Sequence, residues 1–270
     1  MKVGIVGVGV VGGATAKVLE KKHTVLLWDK YKKDCCCEAH FNWLVDNAEV
    51  IFICVPTPMD ERGFFDDSII VETVKNISSE LKKMRRKNVL LVIKSTTPPD
   101  VIKRLKKIAS PVEIAVNPEF LRQDYALSDM ENTDRVVIGT DSQIAQEKLL
   151  IIYESVFPNA QYTLTDTKTA ALIKYACNAF LTSQIAIANE MHRICKAAGI
   201  DYQKIKEVAL QDKRIARNIE VPGPDGELGF GGACFPKDLN TLIHYSSKHN
   251  YTPYLLKEVQ KLNRSVRRIE

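Results

Sequence analysis

The apolar run Val3–Val8 passes directly into Gly7-Val8-Gly9-Val10-Val11-Gly12 and then into a stretch with helical spacing. This order of strand, glycine turn and helix restricts the chain more than any other feature, because each glycine meets a different steric demand. The first allows a tight turn, the second lets backbone approach a pyrophosphate, and the third lets the helix close on the strand. The helix start adds N–H donors and the positive end of its dipole. Asp29 follows the next apolar run, Val25–Trp28, seventeen residues past Gly12. A carboxylate there accepts both hydroxyls of an adenosine ribose and repels a 2′-phosphate, which favours NAD over NADP. Lys30, Lys32 and Lys33 pull the other way, and a glycine turn beside a surface aspartate is the reading without a ligand.

Further runs rich in valine and isoleucine follow at Val50–Val55, Val89–Ile93, Ile114–Val116 and Val136–Ile138. Strands apolar on both faces belong in a parallel sheet covered by helices. Helical patterns lie between them, as at Ile69–Met84 and Gln143–Phe157. The fold class this predicts is α/β, a doubly wound Rossmann-type parallel sheet followed by an all-helical dimerisation domain. The change comes near Asp166, an N-cap by residue type. From Thr167 to Ala198 only helix formers at 3.6 spacing appear, with Gly199 as the C-cap. A helix over Tyr202–Leu210, a Pro/Gly-rich loop over Val221–Gly232 and helical patterns from Pro236 onward complete the chain. The expected domains are 1–165, binding the dinucleotide, and 166–270, helical.

Composition excludes several classes. The 270 residues are 45% hydrophobic and 26% charged, an ordinary globular balance, with a formal net charge of only +5. A nucleic-acid binder concentrates its basic residues on one face. Here the one dense run, Lys82 to Lys87, ends an amphipathic stretch and reads as a solvated helix end. Seven cysteines, three of them consecutive (Cys35, Cys36, Cys37), have neither CxxC nor zinc-ligand spacing. They read as reduced thiols, and the expected location is cytoplasmic. No unbroken apolar run approaches a membrane span, and the glycines between Val3 and Ala16 argue against a secretory leader.

A second centre of chemistry is Gly229-Phe230-Gly231-Gly232-Ala233-Cys234-Phe235-Pro236-Lys237-Asp238. Pro236 suits a first helical turn, which puts Cys234 at or just before a helix N-terminus. That position, with Lys237 nearby, favours thiolate over thiol. Asp238, one turn on, can manage protons at the same place. An isolated cysteine is otherwise a small buried hydrophobe. On the long helix Lys174 and Asn178 share a face of small and apolar residues, where the lysine serves either a site or merely snorkels to solvent.

With these residues the chain resembles the UDP-glucose/GDP-mannose dehydrogenase family, most closely its UDP-glucose-oxidising members. The likeness runs in order through Gly7–Gly12, Cys54-Val55-Pro56-Thr57-Pro58, Lys94-Ser95-Thr96 and Asn117-Pro118-Glu119-Phe120-Leu121. It continues through Lys174-Tyr175-Ala176-Cys177-Asn178, Asp212-Lys213-Arg214-Ile215 and Gly229–Asp238. The resemblance implies an NAD-dependent four-electron oxidation of a nucleotide sugar, UDP-glucose to UDP-glucuronate, with no metal. Cys234 would add to the aldehyde and carry a thiohemiacetal and then a thioester. Lys174 and Asn178 would stabilise the oxyanion, Asp238 would orient water and take protons, and Glu119 and Thr96 would position the hydrolytic water. The implied cofactor contacts are Gly7, Gly9, Val10, Val11, Gly12, Asp29, Pro56, Thr57, Thr96 and Lys237. The implied contacts to UDP-glucose or a related nucleotide sugar are Glu119, Phe120, Leu121, Lys174, Asn178, Arg214, Phe230 and Gly231. Arg214 would reach into a neighbouring subunit, which implies a homodimer built largely on the Thr167–Ala198 helix.

Three departures stand out. The family usually has glutamate where this chain has Gln123. The stretch from Asp29 to Val50 is short for the family. The family also has a further C-terminal Rossmann-like domain, whereas this sequence stops at Glu270. Without remote binding energy from such a domain, an alternative is an NAD-binding dimer with little or no turnover. A two-electron β-hydroxyacid dehydrogenase shares the Rossmann-plus-helical plan, but it has no need of Cys234.

Overall fold

The computed structural model describes residues 1–215 and 219–267. Seven strands form one sheet in the order β2-β1-β3-β4-β5-β6-β7. They are β1 (Lys2–Val6), β2 (Thr24–Trp28), β3 (Val50–Ile53), β4 (Leu90–Ile93), β5 (Glu113–Val116), β6 (Arg135–Gly139) and β7 (Gln161–Thr165). Strands β1 to β5 are mutually parallel. The uninterrupted apolar runs are the central strands, and every residue of β3 and β4 is buried. The helices between them are α1 (Val10–Leu19), α2 (Glu38–Asn47), α3 (Ser68–Lys83), α4 (Pro99–Ala109), α5 (Ala126–Glu131) and α6 (Gln143–Glu154).

The expected α/β class holds, with two additions. The sheet is not wholly parallel, because β5 and β6 pair antiparallel through Val116 and Gly139. Beyond them the sheet gains β7, which sequence patterning missed. Its residues, Gln161-Tyr162-Thr163-Leu164-Thr165, are half polar and only partly buried, as suits an edge strand. The basic run after α3 is also more than a solvated helix end. Lys82, Lys83, Arg85 and Lys87 are exposed, but the half-buried Arg86 donates to the Val45 and Ala48 carbonyls. It thereby satisfies backbone acceptors at the end of α2.

Helix α7 (Thr167–Ala198) has the predicted bounds. Asp166 caps it, accepting from the Lys168 and Thr169 N–H groups, and Gly199 ends it at φ +70°. By length and composition α7 could cross a membrane, which the sequence reading did not anticipate. Asn178, Thr182 and Asn189 interrupt its apolar run in sequence, but they are buried and hydrogen-bonded to protein groups.

Contacts divide the chain into two compact units: Met1–Thr57 with Asp66–Lys174, and Pro58–Phe65 with Tyr175–Glu270. The division falls inside α7. The second unit contains α8 (Tyr202–Ala209), α9 (Phe235–Lys248) and α10 (Tyr254–Val266). The helical pattern after Pro236 is thus broken in two, at Asn250, which has φ 58°, and Pro253, which caps α10. Ala186, Phe230, Leu239 and Val259 form one of this unit's cores. The segment Pro58–Phe65 packs on α9, with the Phe64 ring 4.5 Å from that of His244.

The glycine turn meets the steric demands expected of its first and third glycines. Gly7 has φ +89°, and a Cβ on Gly12 would lie 1.9 Å from the Gly7 carbonyl oxygen. A Cβ on Gly9 would meet nothing within 4 Å. Gly12→Ala must therefore push backbone apart, and we expect a loss of about 2–3 kcal/mol, the upper range for overpacking. Gly9→Ala should leave stability within about 0.5 kcal/mol. Urea titration of the two variants checks the contrast.

Candidate active site

Because β1 to β5 are parallel, their carboxyl ends open along one edge of the sheet. That edge carries the glycine turn, Asp29, Cys54–Thr57, Lys94–Thr96 and Asn117–Leu121. The strand order reverses between β2-β1 and β1-β3, and such a switch point leaves a crevice for a ligand. Asp29 is fixed to the turn: its Oδ2 accepts from the Val8 N–H at 2.7 Å and its Oδ1 from the Tyr31 N–H at 2.9 Å. Each carboxylate oxygen keeps a lone pair for a ribose hydroxyl. Gly9 caps α1 with no side chain over its N-terminal amides, and Val10 beside it is half exposed. The open space at Gly9, which the fold itself does not require, is what a pyrophosphate needs. The residues of this edge therefore fit NAD. Thr57, from the end of β3, donates through Oγ1 to the Thr96 carbonyl beyond β4 at 3.3 Å, and Pro56 is exposed.

Next along the edge, Lys174 is 7% exposed and its Nζ lies 3.0 Å from Glu119 Oε1, with the Phe120 ring 5.7 Å away. The snorkelling alternative for Lys174 is thereby overturned: its ammonium is held in the protein by a carboxylate. The other oxygen of Glu119 accepts from the Leu121 N–H at 2.6 Å, so the turn after β5 orients the acid. Gln123 is exposed at the start of a short 3-10 turn.

Sequence reasoning assigned no role to Lys94, Asn117 or Tyr153, which form a buried cluster behind this site. Lys94 is 4% exposed and its Nζ donates to Asn117 Oδ1 at 2.7 Å, an oxygen that also accepts from the Tyr153 hydroxyl. Asn117 Nδ2 donates to the Val137 carbonyl at 2.8 Å, tying β5 to β6. The signal in sequence was a lysine directly after the apolar run Leu90-Leu91-Val92-Ile93. Lys94 lines a cavity of about 400 Å³ with Glu119, Phe120 and Arg135. Burial lowers the pKa of Lys94 and raises that of Cys54 to about 12.

In the second unit Cys234 is exposed and N-caps α9, with Pro236 in the first turn as expected. The Asp238 N–H donates to the Cys234 carbonyl at 2.8 Å, which puts the acid one turn beyond the thiol. Asp238 is buried and accepts from Asn178 Nδ2 on one oxygen and from Lys237 Nζ, at 2.6 Å, on the other. The Lys237 ammonium pairs with Asp238 and lies over the Phe65 ring. Gly229 and Gly232 take positive φ, but a Cβ on Gly231 would meet the Arg267 guanidinium at 2.4 Å. The Phe230 ring is buried, and both its backbone groups bond to Asn263. Arg214 is exposed and paired with Asp212.

Lys94 gives this site a testable pH signature. Its folded pKa lies below the ordinary 10.5. Between those two values the unfolded chain binds the extra proton, so this group's contribution to stability rises with pH. We expect the melting temperature of the parent, minus that of Lys94→Met, to grow as the pH rises toward the ordinary lysine value of 10.5. A difference that stays flat or falls contradicts a depressed Lys94.

The sequence matches the NAD-binding domain of the UDP-glucose/GDP-mannose dehydrogenase family over residues 36–157 and the central domain of that family over residues 168–265. UDP-glucose 6-dehydrogenase of Rickettsia felis is 37% identical over 229 residues, covering 83% of this chain and 49% of the relative. The Bacillus subtilis enzyme of the same name is 38% identical over 225 residues, covering 80% and 48%. The chain thus spans about half the length of these curated relatives. The solved structure of a UDP-glucose dehydrogenase from Pyrobaculum islandicum superposes with a TM-score of 0.84 at 28% identity, over 98% of this chain and 68% of that one. A UDP-N-acetylmannosamine-type dehydrogenase from Pyrococcus horikoshii shares the fold at a TM-score of 0.79 and 20% identity, with 98% and 69% covered. The chain belongs to the UDP-glucose/GDP-mannose dehydrogenase family of NAD-dependent dehydrogenases.

Proposed function

We propose that this protein oxidises UDP-glucose to UDP-glucuronate, with Cys234 as a covalent nucleophile. The observation that carries the reading is the hydrogen-bonded series Asn178–Asp238–Lys237, one helical turn from an exposed cysteine at a helix N-cap. In this reading residues 1–165 are the NAD-binding domain and 166–270 the helical dimerisation domain. Gly7, Gly9, Val10, Val11, Gly12 and Asp29 hold the pyrophosphate and ribose, while Pro56, Thr57, Thr96 and Lys237 complete the cofactor contacts. When bound, NAD accepts the hydride that leaves the sugar carbon, once for each of the two oxidation steps.

The protein's own groups do the rest. Glu119, Phe120, Leu121, Arg214, Phe230 and Gly231 engage the substrate, the buried Phe230 through its fixed main chain. Lys174 and Asn178, one turn apart on α7, stabilise the negative charge that develops on the sugar oxygen. The sulfur of Cys234 adds to the aldehyde carbon, and the resulting thiohemiacetal retains the intermediate and presents the second hydride. Its oxidation leaves a thioester. Glu119 and Thr96 position the water that cleaves it, Asp238 takes the water's proton, and the sulfur leaves as the carboxylate forms.

A homodimer fits the exposed face of α7. Phe180, Ile187, Met191 and Ile194 are all exposed and fall within one narrow stripe of the helix. An apolar stripe of this kind marks a partner surface. The cytoplasm is the location this reading assigns.

Two measurements test this function. With limiting UDP-glucose the chain should release two NADH per sugar, and Cys234→Ala should form no uronate while still binding NAD in calorimetry. One NADH per substrate, or unchanged uronate from Cys234→Ala, removes the covalent mechanism. NAD binding without NADH is the outcome of the non-catalytic alternative. For assembly, Ile187→Asp should convert a dimer into a monomer in light scattering, and a parent that is itself monomeric removes the α7 interface.

A further inference from the structure

The three consecutive cysteines take no part in the oxidation described above, yet they lie against the ribose end of the cofactor site. The turn Lys32–Cys35 folds back so that the Asp29 N–H donates to the Cys35 carbonyl at 3.3 Å. Two residues on, Cys37 N-caps α2, is exposed, and has its Sγ 3.3 Å from His40 Nδ1. Cys36 lines a cavity of about 480 Å³ with Trp28, Phe41 and Asn76.

We propose that Cys37 and Cys35 form a peroxide-operated switch on NAD affinity. The inference rests on the reading of Asp29 as the ribose carboxylate. His40 takes the Cys37 proton as the sulfur attacks hydrogen peroxide. The O–O bond breaks, an S–OH bond forms, and the other oxygen leaves with that proton as water. The Cys35 sulfur then attacks the Cys37 sulfur, an S–S bond replaces S–OH, and the hydroxyl leaves with the Cys35 proton as a second water. Two thiols lose two electrons in total and one peroxide gains them. Cys35–Cys37 is the pairing assigned, because adjacent residues close a much tighter ring than residues two apart. Closing the bridge pulls the Cys35 carbonyl away from the Asp29 N–H and so loosens the backbone of the residue whose carboxylate meets the glycine turn at Val8.

Both tryptophans of the chain sit beside this segment. Trp28 packs edge-on against Phe41 of α2 with ring centroids 5.0 Å apart, and Trp43 lies on α2 itself. Intrinsic fluorescence is therefore a local reporter. The test uses the full 270-residue chain carrying Cys234→Ser, so that the second exposed thiol cannot contribute. Brief hydrogen peroxide treatment should yield a Cys35–Cys37 disulfide in peptide mass mapping and a change in tryptophan emission. It should also raise the calorimetric Kd for NAD at least tenfold, and a dithiol should reverse all three. Adding Cys37→Ser should keep the reduced affinity and remove the response. No such disulfide, a Cys36–Cys37 pairing, or a disulfide with unchanged Kd overturns the switch. Asp29→Ala separates the two readings: if it binds NAD as tightly as its parent, the ribose assignment itself fails. If it binds weakly while the disulfide has no effect, only the switch fails.

Discussion

Parallel pairing of β1 with both of its neighbours is the constraint on which the rest of the first unit depends. It puts the ends of β1, β2 and β3 side by side, so that Gly7, Asp29 and Cys54–Thr57 come to one edge although they are far apart in sequence. Helix α1 lies close against the turn, and Gly12 supplies that closeness by having no Cβ. The Gly7 N–H donates to the Trp28 carbonyl and Asp29 accepts from the Val8 N–H, so strand order and carboxylate position form one hydrogen-bonded unit.

The buried charges of the two units illustrate a common physical requirement. A cation taken out of water is stable only when a carboxylate or several good acceptors replace the lost hydration. Lys174 finds Glu119, and Lys237 finds Asp238. Lys94 has an amide oxygen and a phenol instead, and burial accordingly lowers its proton affinity. Asp238 takes a donor on each oxygen, which holds one rotamer facing the turn that begins at Cys234. Catalytic groups need such preorganisation, because a carboxylate free to rotate would lose the alignment on which its proton chemistry depends.

Much of the fold was legible because burial on both faces leaves a strong imprint. The runs at Val50–Ile53 and Leu90–Ile93, and the capped helix Thr167–Ala198, admit few alternatives. Strand β7 escaped notice because an edge strand needs only one apolar face, and the antiparallel β5–β6 join has no composition of its own. The glycines around Phe230 show the same dependence on tertiary neighbours. A glycine beside a side chain and one beside open space look alike in sequence: a Cβ on Gly231 would meet the Arg267 guanidinium, whereas one on Gly232 would meet nothing within 4 Å.

The sequence by itself determined the local chemistry: glycines where a turn or close packing forbids a side chain, an acid after β2, and a cysteine placed by proline at a helix start. These features follow from steric and hydrogen-bonding demands a few residues long, so they can be read without knowing what lies nearby in space. Only the tertiary structure decided which charges were paired. Glu119 was given to Lys174 and Asp238 to Lys237, and Lys94 was left with Asn117 and Tyr153. Pairing depends on which side chains share a buried volume, and long-range packing sets that volume.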